Sequence, residues 1–325
     1  MKKVCAIVCT TTVRDNSKLL TQCLSSLRAA AKNQLKLTII VNVESNTPHN
    51  FVKLAKAIDH IHTSPVGENY TTRHNTSIEF SLRQVKPDFM LLINDDSWVE
   101  KDFFAELNKM TAHRSDIIVP KILRGLGPDL DSYGVEYFRS GYTKNNVFLD
   151  LETQLASASC VLISSYLLRQ IKKIYGFYFN EILGWYIEDV ELFIRAKNTG
   201  AQFVKNQKLL AHHVGTSTWG KNTFFPVYQN TRNILWVIIM TWPSHYIRRN
   251  ILNILLVQLW VLGFTCFKFG PQLYARAAIA TFHQRKKLLA QRALIIPTYK
   301  KSEEFGETFS DVSFRTKTGI VIPAG

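Results

Sequence analysis

Phe89-Met90-Leu91-Leu92-Ile93-Asn94-Asp95-Asp96-Ser97 is an uncharged apolar run that stops abruptly at two adjacent carboxylates. Residues of strand-forming character without charge read as a buried parallel strand, and the carboxyl end of such a strand is where open α/β sheets hold ligands. Two neighbouring carboxylates there repel each other unless something positive compensates. A hard divalent cation carrying a diphosphate does so, because Mg and Mn accept carboxylate oxygens and keep positions open for phosphate oxygens. The competing reading is a helix cap, with Asp96 or Ser97 opening a helix from Val99 to Met110.

Outward from this junction the first hundred residues alternate strand and helix patterns. Val4 to Cys9 is a short apolar strand, Ser17 to Ala31 a helix with Leu19, Leu20, Leu24 and Leu27 on one stripe, and Leu37 to Val43 a second strand. Helices over Asn50 to Ile58 and Tyr70 to Gln84 precede the strand Phe89 to Ile93. This β-α-β-α-β order predicts a doubly wound, mostly parallel sheet covered on both faces, with function at the strand ends near Thr10, Asn42 and Asp96. Between Asp116 and Ala156 the pattern breaks into short strands and turns around Gly125-Leu126-Gly127-Pro128 and Ser140-Gly141. It resumes with a strand over Ser159 to Ile163, helices over Ser165 to Ile174 and Ile187 to Lys197, and a strand starting at Gln202 to Lys205.

The chain has 325 residues and a formal net charge of +15, ample for one large α/β domain and an appendage. Cys5, Cys9, Cys23, Cys160 and Cys266 form no CxxC pair and fit a reducing cytosol, and no signal peptide is expected before the first strand. From 192 to 302 there is no Asp or Glu but 16 Lys and Arg, so one region carries the whole basic excess. The same region is rich in Trp, Ile, Leu and Phe, which favours an anionic membrane surface over nucleic acid. The expected division is a catalytic domain over 1–225, a basic, apolar helical region over 226–301 and a tail over 302–325.

Two further clusters carry chemistry. In Gly184-Trp185-Tyr186-Ile187-Glu188-Asp189-Val190-Glu191-Leu192, the two acids of a first helical turn point about 100° apart, so at most one faces a cleft squarely. Glu188 and Asp189 are favoured there by the helix dipole alone; the functional alternative is a general base that takes a proton from an attacking hydroxyl. In Ala211-His212-His213-Val214-Gly215-Thr216-Ser217-Thr218, strand alternation sends the two imidazoles to opposite faces, so only one can complete a metal site at Asp96. Without a Walker loop or GxGxxG, phosphate must be held by metal and basic side chains.

Together these pieces resemble the inverting glycosyltransferase family 2 enzymes of the GT-A fold, over roughly residues 3 to 235. Leu92-Ile93-Asn94-Asp95-Asp96-Ser97-Trp98-Val99 looks like the family's Asn-Asn-Asp-Thr version of the DxD motif. Tyr186 to Leu192 with Arg195 is similar to its "ED" motif, Asn180-Glu181 sits where Asp-Glu is common, and His212 to Thr218 matches its late His-rich strand. Tyr228 with Arg232-Asn233 resembles the start of the C-terminal helices in rhamnosyltransferase-like members. Two segments depart from the pattern: Asn42-Val43-Glu44-Ser45 replaces Asp-Asn-x-Ser, and of the glycine-rich segment only Gly67 and Arg73-His74-Asn75 survive.

The resemblance implies a nucleotide-binding half, an acceptor half and a C-terminal, membrane-associating helical segment. It implies that Asp96 and His212, with Asp95 nearby, hold Mn or Mg on the diphosphate of a nucleotide-diphospho-sugar, His212 being preferred from the motif's register. Thr10, Thr11, Arg14, Asn42, Glu44, Arg73 and Asn75 are the expected donor-binding residues. Asp189, with Glu188 as its alternative, would be the base acting on a glycan acceptor, lipid-linked and made at the cytoplasmic face of a membrane, where the protein lies peripherally. dTDP-L-rhamnose is the donor implied by the nearest members, beside UDP-galactofuranose, UDP-hexoses and GDP-mannose. A sugar nucleotidyltransferase is a rival, although Thr10-Thr11-Thr12-Val13-Arg14 poorly matches its glycine-rich loop. A basic, non-catalytic membrane- or nucleic-acid-binding module is another, opposed by three chemical motifs outside the basic segment.

Overall fold

The computed structural model describes residues 2–10, 17–45, 55–111, 113, 116–149, 153–215, 223–299, 302–307, 309–310, 314–315 and 321–322. Two compact units emerge: Met1–Gly134 with Asn145–Gly220, and Val135–Lys144 with Lys221–Gly325.

The first unit is built on a nine-stranded sheet. Its amino-terminal half is a parallel block of β1 (Lys3–Cys9), β2 (Lys36–Glu44), β3 (His60–Ser64) and β4 (Phe89–Ile93), in the order β3-β2-β1-β4. Alternate residues of β1 are buried on both faces. Val4, Ala6 and Val8 join the core made by Leu20, Cys23, Leu24 and Leu27 of α1 (Ser17–Ala31), while Cys5 and Ile7 are fully covered on the other side. Helix spacing in α1 and near-continuous apolarity in β1 and β4 therefore specify one another. The chain order reverses between β1 and β4, which opens a crevice at their carboxyl ends.

Past the acid pair the sheet becomes mixed. β5 (Ser97–Val99) follows at once, and the next helix, α3, starts only at Phe103 and runs to Lys109. The capping reading of Asp96 and Ser97 is therefore overturned: Asp96 immediately precedes a strand and Ser97 begins it. β6 (Asp116–Arg124) and β7 (Leu130–Ser132) lie in the region where the sequence predicts short strands and turns. β10 (Cys160–Ser164) inserts antiparallel between β4 and β6. β11 (Gln202–His213) runs parallel to β6 and antiparallel to β5, far beyond Lys205. The helix expected over Tyr70 to Gln84 is α2 (Tyr70–Phe80) followed by a π turn over Ser81–Val85, and Lys86 ends it at φ 51°. Of the segment from Asn50 to Ile58, residues 50–54 lie outside the described residues, and Ala55–Ala57 is a 3₁₀ turn.

The second unit contains β8 (Val135–Tyr137), paired with β9 (Thr143–Asn145), and four helices: α6 (Phe224–Thr241), α7 (Ser244–Arg249), α8 (Ile251–Phe269) and α9 (Pro271–Ile295). Its centre is Trp242, fully buried, whose indole N–H donates to Tyr137 Oη at 3.1 Å among the rings of Tyr246, Phe305 and Phe309. Trp236 is also buried and donates to Thr281 Oγ1 at 2.8 Å. These two tryptophans serve the unit's own core. Gly141 shows how tightly the core closes: its φ is +81°, and a Cβ there would come within 2.3 Å of Ile238 Cδ1.

Candidate active site

At the end of β4 the backbone turns tightly, Ser97 N–H donating to Asn94 O at 3.1 Å, and this turn presents Asp95 and Asp96 at the crevice. Both are largely buried. β11 supplies the compensating group. His213 pairs in register with Ser97 on β5 and Arg124 on β6, and its Nε2 lies 3.3 Å from Asp96 Oδ1 while Nδ1 lies 2.9 Å from Asp131 Oδ2. Asp131 is held in turn by Arg124, whose Nε and Nη2 donate to its other oxygen at 3.2 and 3.1 Å. Burial alone would lower the imidazole pKa, but hydrogen bonds to Asp131 and Asp96 and their charges push it up to about 9. Burial would likewise raise Asp131, yet His213 and Arg124 hold it below the usual carboxylate range.

His212 is the neighbour the sequence preferred, and the structure turns it away. It pairs in register with Trp98 and stacks on that indole, with centroids 5.0 Å apart and planes at 3°. Its Nδ1 meets Gly125 O at 2.8 Å and its Nε2 meets Glu100 Oε1 at 2.7 Å. The cause is register: β11 slips against β6 between Asn206 and Leu210, and the pleat then sends 212 and 213 to opposite faces. The imidazole beside Asp96 is that of His213.

The second acid pair opens α5 (Glu188–Asn198). Gly184, Tyr186 and Ile187 immediately before it have φ of 73°, 65° and 68°. Left-handed backbone costs a non-glycine residue about 1–2 kcal/mol, so this approach is strained. A buried ion pair anchors the helix behind it. Arg195 Nε and Nη2 each reach Glu191 carboxylate oxygens at 2.7 Å, and the guanidinium stacks on Phe177 at 4.5 Å. Asp189 accepts the N–H of Ala158 at 3.1 Å and of Val190 at 2.8 Å. Glu188 has an oxygen, Oε2, that is buried and without a hydrogen-bond partner among the described residues. Burial raises both carboxyls, Glu188 the further of the two with the Asp189 charge adding to it, while backbone N–H groups counteract the rise at Asp189. Two N–H donors thus favour the charged form of Asp189, and no donor reaches the buried Oε2 of Glu188 among the described residues.

Tyr70, which the sequence did not single out, links the two acid pairs. Its hydroxyl lies 3.4 Å from Asn94 Oδ1, its ring packs beside Trp185, and its phenol pKa is raised by burial and by the charges of Glu188, Asp189 and Asp95. Only the position of Tyr70 at the first turn of α2, capped by Asn69, could have hinted at this.

Several expected donor contacts prove to be internal scaffold. Arg73 is fully buried: Nε donates to Asn42 Oδ1 at 3.1 Å, and Nη2 donates to Asn42 O at 2.6 Å and to Thr10 O. Asn42 is also fully buried, its amide spent on Arg73 O and Ser77 Oγ at 3.3 Å each and its carbonyl on Ser64 at 2.9 Å. Asn75 clamps the segment before α5, exchanging hydrogen bonds with the backbone of Phe179 and donating to Glu181 at 3.0 Å. Arg73 and Asn42 tie β1, β2 and α2 into one frame, and Asn75 ties α2 to the segment before α5. Thr10 closes β1 onto β2 through its N–H to Asn42 O at 3.0 Å, and Glu44 Oε1 accepts from Gly67 N–H at 3.4 Å. Thr11, Arg14 and the run Thr216-Ser217-Thr218 lie outside the described residues. Arg232 belongs to the second unit, where it bonds Asn233 Oδ1 at 2.9 Å and covers Tyr228 and Trp236.

Among the described residues no group of three His, Cys, Asp or Glu side chains forms a complete metal cage. What the protein offers is one carboxylate and one imidazole 3.3 Å apart. Adjacent corners of an octahedron with bonds of about 2.1 Å are about 3.0 Å apart, so the pair fits two positions of a hard cation that takes its remaining oxygens from phosphate and water. The Asp131 bond to Nδ1 leaves Nε2 as the ligating atom, the arrangement usual for metal-bound histidine.

The profile described as "Glycosyl transferase family 2" matches residues 5–172. No curated protein matches the chain by sequence. Among solved structures it is similar to S. aureus TarS 1-349 in complex with UDP-GlcNAc, with TM-score 0.55 and 15% identity over 98% of this chain and 95% of that one. It is also similar to GalNAc-T7 with UDP, GalNAc and Mn2+, with TM-score 0.55 and 11% identity over 76% of this chain, of which it spans only about half, 49%. At these identities the likeness is one of fold.

Proposed function

The chain belongs to glycosyl transferase family 2, and from its two acid pairs we propose that it moves a sugar from a nucleotide-diphospho-sugar to a hydroxyl of a glycan acceptor, inverting the anomeric centre. The observation that carries this reading is the division of labour between the pairs: Asp96 with His213 at the end of β4, and at the start of α5 an Asp189 carboxyl held by two backbone N–H donors beside a buried Glu188 whose Oε2 has no partner among the described residues. Asp96 and His213 would hold a divalent cation, Mn or Mg. When bound, such a cation offsets the charge that develops on the diphosphate leaving group.

The rest falls to the chain's own groups. Asp189, fixed by two backbone N–H donors, takes the proton of the acceptor hydroxyl as that oxygen attacks C1 from the face opposite the diphosphate, giving inversion in one step. Tyr70 and Trp185 form an aromatic wall beside both pairs, suited to the apolar face of a sugar.

The donor we propose is dTDP-L-rhamnose or a UDP-sugar, the latter supported by the fold shared with TarS in its UDP-GlcNAc complex. The acceptor we propose is a lipid-linked glycan at a cytoplasmic membrane face. A screen of sugar nucleotides for metal-dependent release of nucleoside diphosphate, with the product anomer read by NMR, tests the reading. Release without metal, or retained configuration, overturns it, and transfer of a nucleotidyl group would instead establish the rival chemistry.

A further inference from the structure

The outward face of α8 is apolar until its last turn, where Lys268 is exposed. Leu252, Leu255, Leu256, Leu259, Trp260 and Phe267 recur at helical spacing along it, and Leu252 is 72% and Phe267 94% exposed. The opposite face, Ile254, Val257, Gln258, Val261 and Thr265, is buried within the unit. The helix is thus amphipathic in reverse: its polar groups Gln258 and Thr265 face inward and its leucines outward, over about 28 Å of helix. An uninterrupted apolar face of this size on a surface marks a binding surface. Its surroundings are uniformly cationic. Between 224 and 299 there are nine Lys and Arg and no Asp or Glu. Arg285 stacks at 4.0 Å on exposed Phe282, and Lys268 sits 5.9 Å from the ring of Phe264, so cationic heads border the apolar surface.

We propose that α8 and the exposed edge of α9 form a docking face for an anionic lipid bilayer, lying in its interface plane. By length and composition α8 could cross a membrane, but its packing argues for the plane. After Gly270 the chain doubles back, and Tyr274 Oη donates to Gln258 Oε1 at 3.2 Å, so α9 returns alongside α8. A crossing α8 would carry Arg276, Arg285, Lys286 and Lys287 of α9 to hydrocarbon depth, the last of them only about 25 Å along that helix from Gly270. Lying flat, the leucines and Trp260 enter the acyl boundary while the basic residues meet anionic headgroups. The face deepens the lipid-linked acceptor proposed above. It is tested by binding without donor, so its failure leaves sugar transfer standing.

The experiment is co-sedimentation of the full chain with vesicles of phosphatidylcholine alone and of equal parts phosphatidylcholine and phosphatidylglycerol. Binding is expected only to the anionic vesicles, released by high salt, and reduced about tenfold or more by L255E/L256E/L259E. Should that variant lose its fold by circular dichroism, F267E, whose side chain touches little, takes its place. Equal binding of the variant, no binding of the wild type, or a wild-type dimer in ultracentrifugation that the variant abolishes would overturn the proposal. Retention in membranes through alkaline carbonate would overturn the in-plane arrangement.

Discussion

Replacing the two adjacent histidines one at a time separates a ligand from a support, because their losses fall on different measurements. His212→Ala removes hydrogen bonds at 2.8 and 2.7 Å and the stack on Trp98. At about 1 kcal/mol per net hydrogen bond and about 0.5–1.5 for the stack, the cost is about 3 kcal/mol of stability. In a chain of this size each kcal/mol lowers the melting temperature by about 2 °C, so a drop of about 6 °C is expected. Mn2+ affinity, followed by EPR of the free ion with UDP present, should stay within about twofold of wild type. His213→Ala instead removes the nitrogen that faces Asp96 at 3.3 Å. Since losing even an outer-shell partner costs about 10–100-fold in metal affinity, the loss of the ligand itself should reach at least that range. Turnover should fall with it. A His212→Ala protein that melts normally but has lost Mn2+, beside a His213→Ala protein that binds it, would refute this assignment; equal slight effects would remove both imidazoles from the metal.

Asp189→Asn should lose about 10² to 10⁴ in kcat while donor affinity, measured by calorimetry, survives; a dead Glu188→Gln enzyme beside an active Asp189→Asn one reverses the roles. Glu188 is raised by burial and by Asp189, so the folded chain binds its proton more tightly than the unfolded chain does. Relative to Glu188→Gln, wild-type stability should therefore be highest below about pH 4.3 and decline as pH rises from there, a difference that denaturant titrations at several pH values would read. Arg195→Met strands Glu191 in the core and should cost about 3–5 kcal/mol in urea unfolding, most of it recovered in the Glu191→Leu/Arg195→Met double variant; a milder single variant would mean the pair is solvated. Asp131→Asn should weaken Mn2+ binding about 10–100-fold with little change in melting, and unchanged affinity would show that His213 needs no orienting partner.

Local pattern made the parallel half of the fold legible, and long-range register hid the rest. The stripe Leu20, Leu24, Leu27 places α1, and the uncharged runs Val4–Val8 and Phe89–Ile93 read as strands because both of their faces are buried, one of them in the core shared with α1. No comparable run announces β5 or β7, each three residues long; β5 is held by β11, distant in sequence, and β7 by the end of β6 just before it. The site divides along the same line. Asp95, Asp96, Glu188 and Asp189 are legible because paired acids at a strand end and a helix start are conspicuous locally. The choice between His212 and His213 depends on a slip in the β11–β6 ladder that no local pattern encodes, and Asp131 reaches His213 from 82 residues away. Arg73 and Asn42 misled for a related reason. A basic and an amide side chain near strand ends look like phosphate or base contacts, yet here they satisfy one another and the backbone of Thr10. That frame bears on the proposed chemistry: Arg73 holds β1 to β2 through Nε and Nη2, so a cation held by Asp96 and His213 would bring to a donor's diphosphate positive charge that those two nitrogens do not.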